Sequence, residues 1–276
     1  MPLDLDDARR VIQAALDEDV GAGDITSSTV IPADLRFKGV MQARHPMVVA
    51  GLPVAEEVFR MVVPEARFRA LAKDGDMLAA GAVLAEMEGP ARGLLTAERT
   101  ALNLLQLMGG IATLTRQYAD RIHGTGCTLL DTRKTIPGLR RLSKYATTCG
   151  GAKNHRMGLY DGVLIKDNHI AVCGGVAAAV KRARDAKLPA IEVECDTLAQ
   201  VAEAVEAGAV IVLLDNMPPA VLVQAVALVA GRAKTEASGG VTLDTIRAIA
   251  ETGVDYVSVG RITQSAPAVD IGLDWS

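Results

Sequence analysis

The chain has 276 residues, which one large α/β domain or two smaller ones can fill. Half of it is hydrophobic but only 3% is aromatic, so any core must be aliphatic. The net charge of −4, apolar runs always cut by Gly, Pro or a charge, and the acidic start MPLDLDDARR argue against a nucleic-acid binder, a membrane span and a signal peptide, and set the expectation of a cytoplasmic protein.

Residues 6–17 have helical periodicity, and Gly21-Ala22-Gly23-Asp24 breaks it. Over residues 37–89 the text becomes short β-like runs split by Gly and Pro: FKGVMQA, MVVAG, ARFRALAKDGD and AVLAEMEG. One helix-like stretch, 54–62, sits among them, giving an α+β pattern. Lys73-Asp74-Gly75-Asp76 reads as a tight turn. A long helix is expected from Thr96 as N-cap, broken at Gly109-Gly110 and resumed at Ile111. The domain boundary is placed there: 1–109 as the first domain, with 268–276 packing back on it, and 110–267 as the second.

After Gly126 strands and helices alternate. CTLLD (127–131), GVLIK (162–166), AIEVE (190–194), AVIVLLD (209–215), AKTEAS (233–238) and VDYVSVG (254–260) read as strands, with helical stretches between most of them. Repeated βα units imply a parallel sheet with right-handed crossovers. Six strands are too few for an eight-stranded barrel, yet polar residues or Gly end each unit: Asp131, Lys166, Glu194, Asp215, Ser238 and Gly260. Charges often punctuate strand ends, but the same position filled in every unit favours closure or near-closure, with a site at the C-terminal ends. Cys127, Cys149, Cys173 and Cys195 form no C-x-x-C pair and are expected as reduced thiols.

Residues 133–166 hold eight Lys/Arg and one acid, a net +7 that leaves −11 for the rest of the chain. Most charge runs are solvated faces. Here the cations are interleaved with Pro137-Gly138, Gly150-Gly151 and Asn154 and border strands, a lining suited to a polyanionic small molecule. Arg133 and Lys134 follow one strand; His155 and Arg156 precede the next, which Lys166 ends. Strand alternation puts Glu192 and Glu194 on one face, and Asp215 ends the neighbouring strand. Such carboxylates suit a divalent cation, a developing positive charge or ion pairs with the basic lining. EASGG (236–240) and SVGRIT (258–263) follow late strands and are candidate phosphate loops.

The strings LDEDVGAGDITS, ERTALNLLQLMGGIAT, DTRKTIPGLR, GGAKNHRMGLYDGVLIKDNHI, EVE, LLDNM, EASGG and GVDYVSVG resemble, in order, the quinolinate phosphoribosyltransferase family, also called nicotinate-nucleotide pyrophosphorylase (carboxylating). The resemblance implies an N-terminal α+β sandwich domain and an incomplete parallel α/β barrel, joined in a homodimer. It implies quinolinate, phosphoribosyl pyrophosphate and Mg²⁺ as ligands, and nicotinate mononucleotide, CO₂ and pyrophosphate as products, a step of NAD biosynthesis. It also implies residue roles. Arg133, Lys134, His155 and Arg156 would hold the quinolinate carboxylates, with Arg99 supplied by the partner subunit. Lys166 would contact either substrate, with Lys134 and Lys166 counted as catalytic together with Glu194 and Asp215. Those two acids would face the ribose and the metal, while Ser238, Gly239 and Gly260 would bind the 5′-phosphate. Gln264 stands where the family commonly has His, keeping a donor but no charge. Two other readings stay open: a related phosphoribosyltransferase with a different acceptor, and a Schiff-base aldolase using Lys166.

Overall fold

The computed structural model describes residues 1–275. Its elements, in chain order, are α1 (Leu5–Asp19), α2 (Ile25–Val30), β1 (Arg36–Ala43), β2 (Met47–Val48), α3 (Leu52–Val62), β3 (Arg67–Ala70), β4 (Met77–Leu78), β5 (Val83–Pro90) and α4 (Ala91–Arg121). There follow β6 (Thr128–Leu130), α5 (Arg140–Cys149), β7 (Leu164–Ile165), α6 (Asp167–Cys173), α7 (Val176–Asp185), β8 (Glu192–Cys195) and α8 (Leu198–Ala207). The chain ends with β9 (Ile211–Asp215), α9 (Pro219–Val229), β10 (Lys234–Ser238), α10 (Ile246–Ala250), β11 (Tyr256–Ser258), α11 (Arg261–Gln264) and β12 (Ile271–Trp275). Tertiary contacts separate two units: residues 1–116, 135–151 and from Ile262 onward, and residues 117–134 with 152–261.

The first unit carries an antiparallel sheet in the order β12-β1-β5-β3. β1 alternates exposed and buried positions, as a strand with one wet face must. β12 lies against Gly39–Ala43. Helix α1 starts where Asp4 accepts from the Asp7 backbone N–H at 3.1 Å, and it buries Ala8, Val11, Ile12 and Leu16, a stripe at helical spacing. The core is aliphatic, as the composition requires: Met41, Leu84, Met87, Leu94, Leu102 and Leu105 are all essentially inaccessible.

Helix α4 departs from the expectation. It starts five residues before Thr96 and runs through both glycines without a break. Thr96 is internal, its hydroxyl within reach of Arg92 O (2.9 Å) and Asp24 Oδ2 (3.0 Å). A Cβ on Gly109 would press on Met47 and Val269, and one on Gly110 would collide with the Pro267 backbone. These glycines therefore mark a close approach of chains rather than a helix end. By its internal contacts the chain crosses between units at 116/117, inside α4, and residues 135–151 belong with the first unit.

The second unit is a six-stranded parallel sheet in the order β7-β8-β9-β10-β11-β6. Each of the six expected strands is present. Beyond β6 the ladder continues only as a single bridge between Leu130 and Lys153, and among the described residues β7 pairs with β8 alone. The barrel is thus incomplete. Register separates two faces. Leu129, Val193, Cys195, Val212, Leu214, Thr235, Ala237 and Val257 share one, all buried, as a helix-covered parallel sheet demands. Glu192, Glu194, Leu213, Asp215, Glu236 and Ser238 share the other. Helices such as α8 are set by their termini: Thr197 and Gln200 form a capping box, and Gly208 ends the helix at φ 94°.

Candidate active site

The polar face of the second unit gathers its charges near the C-terminal ends of the strands. Lys166, just past β7, forms an ion pair with Glu194 of β8. Its backbone N–H donates to His169 Nδ1 at 2.9 Å, which fixes the turn into α6. Asp215, at the end of β9, accepts from Asn216 Nδ2 at 2.5 Å. The Asn216 N–H donates to Ser238 O at 2.8 Å, joining the ends of β9 and β10. Gly239 has φ 92°, and a Cβ there would collide with the Asn216 side chain, so only glycine fits. Asp215, Ser238 and Gly239 are therefore brought together, and Gly260 follows β11 in the next strand-end position.

The basic segment is anchored by a buried acid. Asp131, wholly inaccessible at the end of β6, accepts from Asn154 Nδ2 at 2.6 Å and from the His155 N–H at 2.9 Å. His155 is then held on both sides of its ring. Nε2 lies 3.0 Å from Glu192 Oε2 and 3.5 Å from Glu236 Oε2, and Nδ1 accepts the Arg156 backbone N–H at 2.8 Å. Burial disfavours charge on the ring, but hydrogen bonds and charge from Glu192 and Glu236 outweigh it, pushing His155 up to about 10. Burial raises Glu192 as well, against the pull of His155.

Arg156 Nη1 donates to Gly162 O at 3.0 Å. Its pKa is lowered, first by burial and next by the nearby charge of Arg133, while Glu192 partly compensates. Two guanidiniums close enough to repel, and still charged, make a site that gains from an anion. Lys134 follows Arg133 and is exposed, its N–H bonded to Thr132 Oγ1 at 3.0 Å. Arg99, exposed on α4, and Gln264, exposed at the end of α11, belong to the first unit.

The sequence reading treated Asp131 only as a strand end, placed Glu192 only by alternation, and did not single out Asn154 or Glu236. Glu236 had a readable signal, since it lies two residues before Ser238 and so on the same face. Among the described residues the one group of three ligand-type side chains is His155, Glu192 and Glu236, whose ligand atoms lie within 4.8 Å of one another. It excludes Glu194 and Asp215, the expected metal pair.

A two-unit α/β protein with an incomplete parallel barrel and paired cations at its strand ends belongs to the class of chains built to bind phosphorylated or carboxylated small molecules. The family follows from similarity. The sequence model described as "Quinolinate phosphoribosyl transferase, C-terminal domain" matches residues 111–274, and the corresponding N-terminal domain matches residues 24–109. The "Probable nicotinate-nucleotide pyrophosphorylase [carboxylating]" of Bacillus subtilis (strain 168) is 44% identical over 93% of this chain and 89% of its own length. The "Nicotinate-nucleotide pyrophosphorylase [carboxylating]" of Mycobacterium leprae (strain TN) is 44% identical over 98% of each chain. The solved nicotinate-nucleotide pyrophosphorylase from Francisella tularensis superposes with a TM-score of 0.96 at 38% identity, covering 100% of this chain and 98% of that one. The chain belongs to the quinolinate phosphoribosyltransferase family.

Proposed function

We propose that this protein transfers the phosphoribosyl group of phosphoribosyl pyrophosphate to the ring nitrogen of quinolinate. The products are nicotinate mononucleotide, pyrophosphate and CO₂. Family membership sets the reaction; the observation in the molecule that best supports it is a half-buried Arg156 that feels the charge of Arg133, in the unit that also carries the Lys166–Glu194 ion pair at its strand ends. A dicarboxylate needs two forked cations, and arginine offers a planar fork where lysine offers a point charge.

In this reading Arg133, Lys134, His155 and Arg156 hold the quinolinate carboxylates and turn the ring nitrogen towards the sugar. Ser238, Gly239 and Gly260 hold the 5′-phosphate, and Arg99 enters from the partner subunit of a homodimer. As the carbon–oxygen bond to pyrophosphate breaks, positive charge grows on the ribose, and Glu194 and Asp215 stabilise it. Lys166 exchanges its Glu194 partner for substrate oxygen. The carboxylate next to the ribosylated nitrogen then leaves as CO₂; its bonding electrons stay on the ring carbon, stabilised by the adjacent cationic nitrogen, and a proton from water completes nicotinate mononucleotide. Two polyanions are held together chiefly by position and charge.

Glu194 and Asp215 are diagonal neighbours on adjacent strands and offer only oxygen donors, which fits Mg²⁺ held by one or two carboxylates plus substrate phosphates. The ion supplies charge neutralisation of the leaving pyrophosphate. Among the described residues no helix is long and apolar enough to cross a membrane, in keeping with a cytoplasmic enzyme. The aldolase reading loses ground because Lys166 is paired with a carboxylate, the arrangement of an ammonium rather than of a free amine nucleophile.

Incubation with phosphoribosyl pyrophosphate, Mg²⁺ and either quinolinate or nicotinate tests the proposal. Nicotinate mononucleotide should form from quinolinate. Product from nicotinate alone would point to the related transferase with another acceptor, and no product from either rejects a transferase.

A further inference from the structure

Four non-glycine residues among those described hold φ in the left-handed region: Lys187, Ala190, Asn216 and Ala230. Three of them lie ahead of strands, Lys187 and Ala190 before β8 and Ala230 before β10, at the end of the sheet away from the site. Asn216 alone stands just after a strand, at the C-terminal end of β9, with φ 54°. A residue with a Cβ adopts this conformation at a cost, Asn at the least, and keeps it where its surroundings over-determine it. They do so here. Ser238 O holds the Asn216 N–H at 2.8 Å, Met217 is buried, and Pro218 and Pro219 follow with fixed φ at the start of α9.

The side chain of Asn216 is fixed as well. Nδ2 donates to Asp215 Oδ2 at 2.5 Å, which sets the rotation of that carboxylate and leaves its Oδ1 to face a ligand. The amide oxygen and Cγ lie so close to Gly239 that a Cβ there would overlap both. Flipping the amide would set its oxygen against a carboxylate oxygen, so the orientation has one solution. Asp215 and Ser238 are themselves register partners on β9 and β10. Asn216 thus touches the acid on one strand and the loop on the next through three separate groups: amide nitrogen, amide oxygen and backbone N–H.

We infer that Asn216 is a positioning residue for phosphoribosyl pyrophosphate: its amide nitrogen holds Asp215, its backbone N–H and amide oxygen hold Ser238 and Gly239, and the acid at the ribose and the loop at the 5′-phosphate thereby keep one separation. A ribose joins those two ends through a short, stiff ring, so a site that grips both needs its two grips at a fixed spacing. The inference rests on the reading of Asp215, Ser238 and Gly239 as ligands of that substrate. A plain turn needs only the left-handed backbone, which glycine supplies at no steric cost. The side chain of Asn216 adds the hold on Asp215 and the contact with Gly239, and this is the part that a substitution can remove by itself.

Asn216→Gly makes the test, because it keeps the backbone conformation and deletes the amide. It should raise the KM of phosphoribosyl pyrophosphate about 10-fold, the scale of one hydrogen bond to a charged group, and leave that of quinolinate within about twofold. Calorimetry reads the two ends without turnover. Ribose 5-phosphate without Mg²⁺ reads the loop, and phosphoribosyl pyrophosphate with Mg²⁺ and no acceptor reads loop and acid together. Asn216→Gly should weaken both, the second more than the first. Wild-type affinity for either ligand overturns the inference and leaves Asn216 a turn former. An equal rise in the quinolinate KM overturns it too, since a general loosening of the fold does not choose between substrates. A wild type that binds phosphoribosyl pyrophosphate but makes no product rejects the proposed function while the comparison of affinities still decides the role of Asn216; a wild type that binds neither ligand overturns both.

Discussion

Burial and the charge of Arg133 both disfavour the charge on Arg156, and Glu192 offsets them only in part, so a bound dianion would complete the balance. Replacing Arg156 by Lys keeps the charge but removes the fork. The expected cost is about 10- to 100-fold in kcat/KM for quinolinate, the scale of one charge-assisted hydrogen bond, read from initial rates. A change below twofold would show that Arg156 does not grip the acceptor. Lys166→Met leaves Glu194 without its ion-pair partner, and should cost activity with both substrates while the fold persists, since Lys166 is half exposed. The cations of this site were legible because charge in excess of the chain's average, set among glycines and strand ends, is a one-dimensional signal. Glu236 and Asp131 were harder to read. Their importance comes from what they touch, His155 and Asn154, and those contacts join strands that are distant in sequence.

At the scale of elements, α4 shows where local reading stops. Glycine pairs commonly end helices, and nothing near Gly109-Gly110 in the sequence says otherwise; the reason they sit mid-helix lies at Pro267 and Val269. Gly110→Ala should therefore destabilise the protein by at least 1–3 kcal/mol (roughly the cost of overpacking), although alanine is the better helix former. A thermal melt that shows stabilisation would contradict the close approach. Helix α3 offers a pH test. Glu57, nearly buried, receives Arg60 and Arg9, and hydrogen bonding from Arg60, offset by burial, holds its carboxyl down at about 2. A folded value below the ordinary 4.5 means that the pair stabilises fully above 4.5 and progressively less as pH falls towards 2. Glu57→Gln should cost about 1–3 kcal/mol in urea unfolding at pH 7, with the gap from wild type narrowing near pH 3. A gap unchanged between the two pH values would show that the ion pair is not its source. The six βα strands, by contrast, were readable because apolar runs with polar ends repeat at regular spacing, and β1, β3 and β5 because Gly or Pro lies near their ends, whereas β12 was read only as a tail packing back on the first domain.

For the whole molecule, the account requires that a second copy complete the site. Arg99 stands exposed on α4, and the proposed homodimer brings it to its partner's quinolinate. Two inactive variants, Arg99→Ala and Lys166→Met, should regain activity when mixed and re-associated, because a mixed dimer carries one site with both residues intact. Absence of recovery, with mixed dimers shown by mass, would place Arg99 in its own subunit's site or outside the chemistry. Which residues meet across two chains is not written in one chain's periodicity, and so this part of the site rests on family resemblance. The central claim is that ribosylation and loss of a carboxylate are two halves of one turnover. Its most direct test is to measure pyrophosphate and CO₂ together from quinolinate and phosphoribosyl pyrophosphate, with and without Mg²⁺. One of each per nicotinate mononucleotide, lost when Mg²⁺ is withheld, is the predicted result; pyrophosphate released without CO₂ would contradict the account.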